Sequence, residues 1–244
     1  VRFATLAAGG PRAPAFGPIN PPVERASTIL YSSVTDYMER HSGFYDDVIY
    51  GLYGTETTFA LAEAVGALEG GHMTGVTSSG TAAIALGLTT FVAQGEHLLV
   101  ADTVYGATRR FCDESLARFG VEVTYFDPLL GDDIRNLFRA NTRAVYLESP
   151  GSQTFEVIDV PAVTGAAREH GIVTLMDNTW ATPVYFRPIE HGVDVSIESA
   201  TKYLSGHSDV MLGTLTAATE EQNRRLKDTA GGRGDRAAAD HGPP

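Results

Sequence analysis

The sequence predicts an α/β fold in which a mostly parallel sheet carries helices on both faces. Three features predict it. From Gly95 onward, short strand-like runs alternate with helical segments; those segments stop at glycines, Gly120 and Gly171; and a small-residue turn, Ser78-Ser79-Gly80-Thr81, opens directly onto an apolar helical run. Strands separated by helices imply right-handed crossovers, hence parallel neighbours and a sheet covered on both sides.

In chain order, residues 1–50 are rich in glycine and proline (Gly9, Gly10, Pro11, Pro14, Gly17, Pro18, Pro21, Pro22) and show no sustained period, which predicts an extended N-terminal arm. From Thr57, the residues Phe59, Leu61, Ala62, Val65 and Leu68 fall on one helical face, and Gly70-Gly71 stops the helix. The turn at Ser78–Thr81 then leads into a helix through Leu88. Its leading N–H groups and positive dipole end suit an anion; ordinary capping by Ser79 or Thr81 explains the same residues equally well. Strands are expected at 97–101, 121–126, 144–148, 172–176 and 193–197. Helices are expected at 105–119, 132–140 and from Asp159 and Pro161 to Gly171. The core domain spans 51–227. Residues 228–244, DTAGGRGDRAAADHGPP, show neither strand nor amphipathic pattern and read as a disordered tail.

The length of 244 residues allows one large α/β domain, or one domain and a fragment of another. A net charge of −12 argues against nucleic acid or an anionic membrane as partner, because either needs a basic patch. With Cys112 the only cysteine, no internal disulfide can form and a reducing compartment is expected; within a helix it reads as a packing residue rather than a nucleophile. The longest apolar run, 81–93, is too short to span a bilayer, and 1–17 holds no secretory signal. The expectation is a soluble cytoplasmic protein. The histidines show no metal-ligand spacing, and neither a GxSxG elbow nor a P-loop occurs, so no metal site is expected.

One basic residue stands apart. Of 18 basic residues only Lys202 and Lys227 are lysines, the chain otherwise using arginine. Lys227 lies among Glu220, Glu221, Arg224, Arg225 and Asp228 and reads as part of a solvated helix face. Lys202 follows the alternating run Val193, Val195, Ile197 and is flanked by Ser199, Thr201 and Ser205. Its amine can lose a proton and bond covalently to a carbonyl, which a guanidinium cannot. Ligands of such sheets bind beyond the carboxyl ends of the strands. That rule brings together Asp177, Lys202, the Gly80 turn and the loop with Asp102, Tyr105 and Gly106. An amine, a carboxylate, an aromatic ring and an anion-binding turn are the needs of pyridoxal phosphate.

The segments ALEGGHMTGVTSSGTAAI, ESPGSQTFEVIDVPAV, MDNTWATPVYF and SATKYLSGHSDVMLGT resemble the Cys/Met-metabolism group of pyridoxal-phosphate enzymes, from about residue 20 to about 225. Trp180 within DNTW tilts the likeness to its cystathionine β-lyase branch. The resemblance implies the aminotransferase-like (fold type I) large domain, with the smaller C-terminal domain and its substrate-carboxylate arginine missing. It implies Lys202 as the covalent cofactor anchor and α-proton base, Asp177 as partner of the ring nitrogen, and Tyr105 stacked on the ring. Gly80, Thr81, Ser199 and Thr201 would hold the phosphate. Tyr50 would reach a neighbouring copy's site within a homodimer or homotetramer. The implied reaction is β-elimination of L-cystathionine to homocysteine, pyruvate and ammonia, in methionine biosynthesis. Its competitors are another Cys/Met-metabolism activity (γ-lyase, γ-synthase or sulfhydrylase) and a truncated, non-catalytic chain that binds cofactor or assembles with full-length partners. Leu52 stands where the family has a phosphate-binding arginine; Tyr53 could offer a weaker hydrogen bond there.

Overall fold

The computed structural model describes residues 20–40 and 47–234. The described elements are α1 (Val34–Glu39), α2 (Glu56–Glu69), β1 (Met73–Thr77), α3 (Gly80–Phe91), β2 (His97–Ala101), α4 (Gly106–Arg110), β3 (Glu122–Phe126), β4 (Thr142–Glu148), α5 (Val160–Glu169), β5 (Val173–Asp177), α6 (Thr182–Tyr185), β6 (Val195–Glu198), β7 (Gly213–Ala217) and α7 (Glu220–Arg233). A π-helical turn, Phe111–Leu116, continues α4.

The strands form a seven-stranded sheet in the order β1-β7-β6-β5-β4-β2-β3. Every adjacent pair is parallel except β1 with β7 and β6 with β7. The expected strands between 97 and 198 all form, and all are parallel. β1 and β7 lie outside the sequence expectation. β7 is short and threonine-rich, yet buried along its whole length, so neither alternation nor an apolar run marks it.

Local chemistry sets the boundaries. Gly70 caps α2 with φ of +74°, and Asp159 caps α5 by accepting from the Ala162 N–H at 3.1 Å. The helix expected at 105–119 starts at Gly106 and widens into the π turn after Arg110. The segment expected as a helix at 132–140 is a 3-10 turn, Gly131–Leu137.

The C-terminal helix corrects the reading of Lys227. Asn223, Leu226, Lys227 and Ala230 form the buried face of α7, and Lys227 is only 6% exposed. Its Nζ lies 2.8 Å from Met73 Sδ. The spacing i, i+3, i+4, i+7 was present in the sequence, but charged neighbours on the opposite face masked it. α7 also runs to Arg233, through residues that the sequence analysis assigned to the tail. A cavity of about 170 Å³ lies between α2, β1 and α7, lined by Leu52, Tyr53, Phe59, Met73, Leu226 and Lys227 among others. Of the residues discussed for the cofactor phosphate, only Tyr53 and Leu52, at the family's arginine position, line it.

Two glycines join the layers near the carboxyl edge. A Cβ on Gly213 would lie 2.1 Å from the Ser79 carbonyl oxygen, so the start of β7 packs directly on the turn before α3. The other is Gly80, which belongs to the site.

Candidate active site

Asp177 is the last residue of β5 and pairs in register with Glu148, the last residue of β4. On its other side it pairs with Ile197 of β6. Asp177 is 7% exposed. Its Oδ1 accepts the Thr179 N–H at 2.9 Å, and the Thr179 hydroxyl accepts the Ser199 N–H at 2.7 Å. Thr179 thus ties the loop after β5 to the loop after β6. Burial pushes the Asp177 carboxyl up from its ordinary value, partly offset by the bonds from Thr179. No ion pair reaches Asp177 among the described residues. A buried carboxylate in this position fits a cationic ring nitrogen.

Ser79 caps α3, its Oγ accepting the Ala82 N–H at 3.1 Å, which settles the capping role on Ser79 rather than Thr81. The first intrahelical bond runs from the Ala83 N–H to the Ser79 carbonyl. The N–H groups of Gly80 and Thr81 precede that bond and suit an anion. A Cβ on Gly80 would sit 2.6 Å from both Cβ and Oγ of Ser199. The helix start and the loop after β6 therefore touch, which places the Ser199 hydroxyl beside the turn. We expect Gly80→Ala to lower stability by about 1–3 kcal/mol, the cost of overpacking. Thermal melting checks it, and an unchanged midpoint would show that the two loops part freely.

Thr201 is differently engaged. Its hydroxyl donates to the Leu212 carbonyl at 3.0 Å and accepts the Leu212 N–H at 2.8 Å. It braces the loop that carries Lys202, and could turn to a phosphate only by giving up the carbonyl bond. Lys202 is exposed, in a turn where its N–H donates to the Ser199 carbonyl at 2.9 Å and its own carbonyl accepts from the Gly206 N–H.

Tyr105 stands at the N-terminus of α4 and is 53% exposed. Its N–H donates to Glu148 Oε2 at 2.7 Å. Burial, then the neighbouring Asp177 charge, pushes the Glu148 carboxyl up to about 8. Trp180 and Phe155 make an edge-on aromatic pair, ring centres 6.3 Å apart, with both rings more than half exposed. Tyr50 stacks edge-on with Tyr53 at 6.5 Å and lies outside this cluster.

Neither Glu148 nor a buried acidic group beneath the site is among the residues expected there from the sequence. Glu69 and Glu198 are 1% and 2% exposed and interact with each other, with Ser196 nearby and Asn178 Nδ2 3.5 Å from Glu198 Oε1. Burial, then the Glu69 charge, pushes Glu198 up to about 10. Glu148 could have been found: it ends its strand as Asp177 ends the next. Glu69 and Glu198 come from distant segments and carry no such signal.

The chain matches the model of the Cys/Met metabolism PLP-dependent enzymes over residues 4–240. A Rhizobium johnstonii protein, provisionally named a cystathionine beta-lyase, is 53% identical over 215 residues, covering 88% of this chain and 53% of the relative. The cystathionine beta-lyase of Haemophilus influenzae is 40% identical over 207 residues, covering 82% of this chain and 52% of that protein. Among solved structures, cystathionine gamma-lyase from Lactobacillus plantarum, complexed with L-serine, superposes with a TM-score of 0.90 at 29% identity, over 99% of this chain and 61% of that one. The chain thus spans about half the length of the curated relatives it matches. With the expected carboxylate, helix-start turn and lysine loop gathered at one sheet edge, and nearly the whole of this chain matching the family model, this chain belongs to the Cys/Met metabolism PLP-dependent enzyme family.

Proposed function

We propose that the chain forms the cofactor-bearing part of a carbon–sulfur lyase that performs β-elimination on L-cystathionine, releasing homocysteine, pyruvate and ammonia. The observation that carries this reading is Asp177, a buried carboxyl without an ion-pair partner among the described residues, at the same sheet edge as the Lys202 turn and the Gly80 helix start. The names of the relatives favour cystathionine as substrate, and the β-lyase names outweigh the γ-lyase likeness because those sequences are more similar.

Bound pyridoxal phosphate supplies an electron sink next to the substrate α-carbon. The residues at the sheet edge would then divide the work. Asp177 would hold the proton on the ring nitrogen. Lys202 Nζ would anchor the cofactor and offers the amine that could accept the substrate α-proton. Tyr105 would cover the cofactor, with its phenol available to assist proton transfer. Gly80, Thr81 and Ser199 orient the phosphate. Thr201 joins them if its hydroxyl turns away from Leu212. Tyr50 serves the site of a second copy in a homodimer or homotetramer, in the cytoplasm; no helix among the described residues is long and apolar enough to cross a membrane.

Titrating pyridoxal phosphate into the full chain should produce the near-visible absorption of a lysine-bound cofactor, and L-cystathionine should then yield pyruvate. Production of 2-oxobutyrate instead would replace β- with γ-elimination, and uptake of cofactor without product would leave a binding chain only. In an active chain, Asp177→Asn should keep the absorption band while slowing turnover roughly 10²- to 10³-fold, the scale of losing one electrostatic stabiliser of developing charge. Unimpaired turnover in that variant would remove the role given to Asp177.

A further inference from the structure

The ring of Tyr105 has little to hold it. It is 53% exposed, and among the described residues no aromatic side chain packs against it. Its position depends on its backbone, which is fixed from two sides. The Tyr105 carbonyl accepts the Arg109 N–H at 3.1 Å within the helix that it begins. Its N–H reaches across to Glu148 Oε2 at 2.7 Å, a residue 43 positions later in the chain. The second bond ties Tyr105 itself to the strand next to the one bearing Asp177; two residues earlier, the Thr103 carbonyl accepts the Ser152 N–H at 2.7 Å from just beyond that strand.

The geometry points to Glu148 as a positioning residue: its carboxylate fixes the backbone of Tyr105 and thereby the ring at the mouth of the cofactor site. The functional half of this statement rests on the reading that Tyr105 covers the cofactor; the contact itself does not.

The groups around Glu148 favour this role. Asp177 faces it from β5, and Tyr146 lies two residues back on the same strand and face. Thr108 and Cys112, on α4 and its π-helical continuation, contact or influence Tyr146. α3, which packs on this side of the sheet, has no charged residue. Two carboxyls thus lie side by side with no cation between them among the described residues. Burial and Asp177 push Glu148 up to about 8, whereas the Tyr105 N–H pulls it down. A cation at Asp177 would favour the ionised form of Glu148, and an ionised acceptor holds an N–H more strongly than a neutral one. Seating the cofactor would therefore tighten the hold on the ring that covers it.

Amide NMR on the full, cofactor-free chain tests the contact. The Tyr105 amide proton should move downfield as pH rises through about 8. Glu148→Gln, which keeps an oxygen acceptor, should abolish that titration. Above that pH, where Glu148 is ionised, Glu148→Ala should speed exchange of the Tyr105 amide about ten- to a hundredfold, the loss expected for a charge-assisted bond. If the amide ignores both substitutions, Glu148 does not position Tyr105. Cofactor binding gives a separate readout. Glu148→Ala should weaken pyridoxal phosphate binding, with Glu148→Gln partly restoring it, and should add nothing in a Tyr105→Ala background. Full additivity of the two substitutions would overturn the proposal. A wild-type chain that takes up no pyridoxal phosphate would count against the cofactor reading, while the amide measurement still decides the contact. If Glu148→Ala does not fold, the titration lost in Glu148→Gln carries the test.

Discussion

Lys202→Ala should bind pyridoxal phosphate only reversibly. Borohydride treatment of the wild-type chain should fix the cofactor to Lys202, detectable by peptide mass; the variant should remain unlabelled. In any form of the protein that turns over cystathionine, loss of the amine should also reduce the rate by about 10²- to 10⁴-fold, the usual contribution of a positioned proton-transfer group. Covalent labelling at Lys227 would contradict the assignment. The structure already separates the two lysines. Lys202 is exposed in the loop after β6, beside the Gly80–Ser199 contact, whereas Lys227 is buried on α7 against Met73.

Glu198→Gln should stabilise the cofactor-free chain at alkaline pH. Glu198 and Glu69 are both almost fully buried, and burial raises both carboxyls above their ordinary value of 4.5. A carboxyl with a raised folded-state value is bound to its proton more tightly in the native than in the unfolded chain. Its contribution is complete below about 4.5 and is lost as pH rises to the folded value, about 10 for Glu198. The wild-type chain should therefore lose stability between about pH 5 and 10 on this account. Glutamine keeps a neutral, hydrogen-bonding side chain beside Asn178, so the variant should show a flatter profile. Near pH 8 the gain should be about 1–3 kcal/mol, the scale of one to two pH units of proton affinity. At about 2–4 °C per kcal/mol for a domain of this size, thermal melting across pH resolves the difference. A wild-type midpoint that rises from pH 6 to 9 would show that Glu198 does not keep its proton in the folded chain.

The two acidic clusters differ in their relation to the site. Glu148 and Asp177 end neighbouring parallel strands on the face covered by α3, where a cationic ring can compensate them. Glu198 and Ser196 lie on the other face, and Glu69 approaches them from the end of α2. A cofactor at Asp177 should consequently stabilise the first pair directly and leave most of the Glu198 pH dependence in place.

Much of this was legible in the sequence. The strand at 97–101 was read to the residue, and 144–148, 172–176 and 193–197 to within one or two, because parallel strands buried on both faces appear as short apolar runs between helix stops. Asp177 and Lys202 followed from the rule that ligands lie past the carboxyl ends of such strands. The resemblance named the family that these residues serve. Local pattern failed wherever a residue's surroundings come from elsewhere in the chain. β7 has no apolar alternation because β1 and β6 bond to both of its edges and the layers above and below bury it. Lys227 looks solvated among its charged neighbours, yet its own helical face packs on β1. Thr201 looks free to meet a phosphate, but Leu212 already occupies its hydroxyl.

The sequence by itself determined the parallel framework, the lysine, its carboxylate partner and the turn built for an anion, because periodicity, glycine stops and residue chemistry are local. Only the tertiary structure decided which groups meet: Gly80 against Ser199, Tyr105 on Glu148, Glu69 beside Glu198. Those contacts join segments tens of residues apart, and their protonation is set by a burial that exists only once the sheet has formed and its two faces are covered.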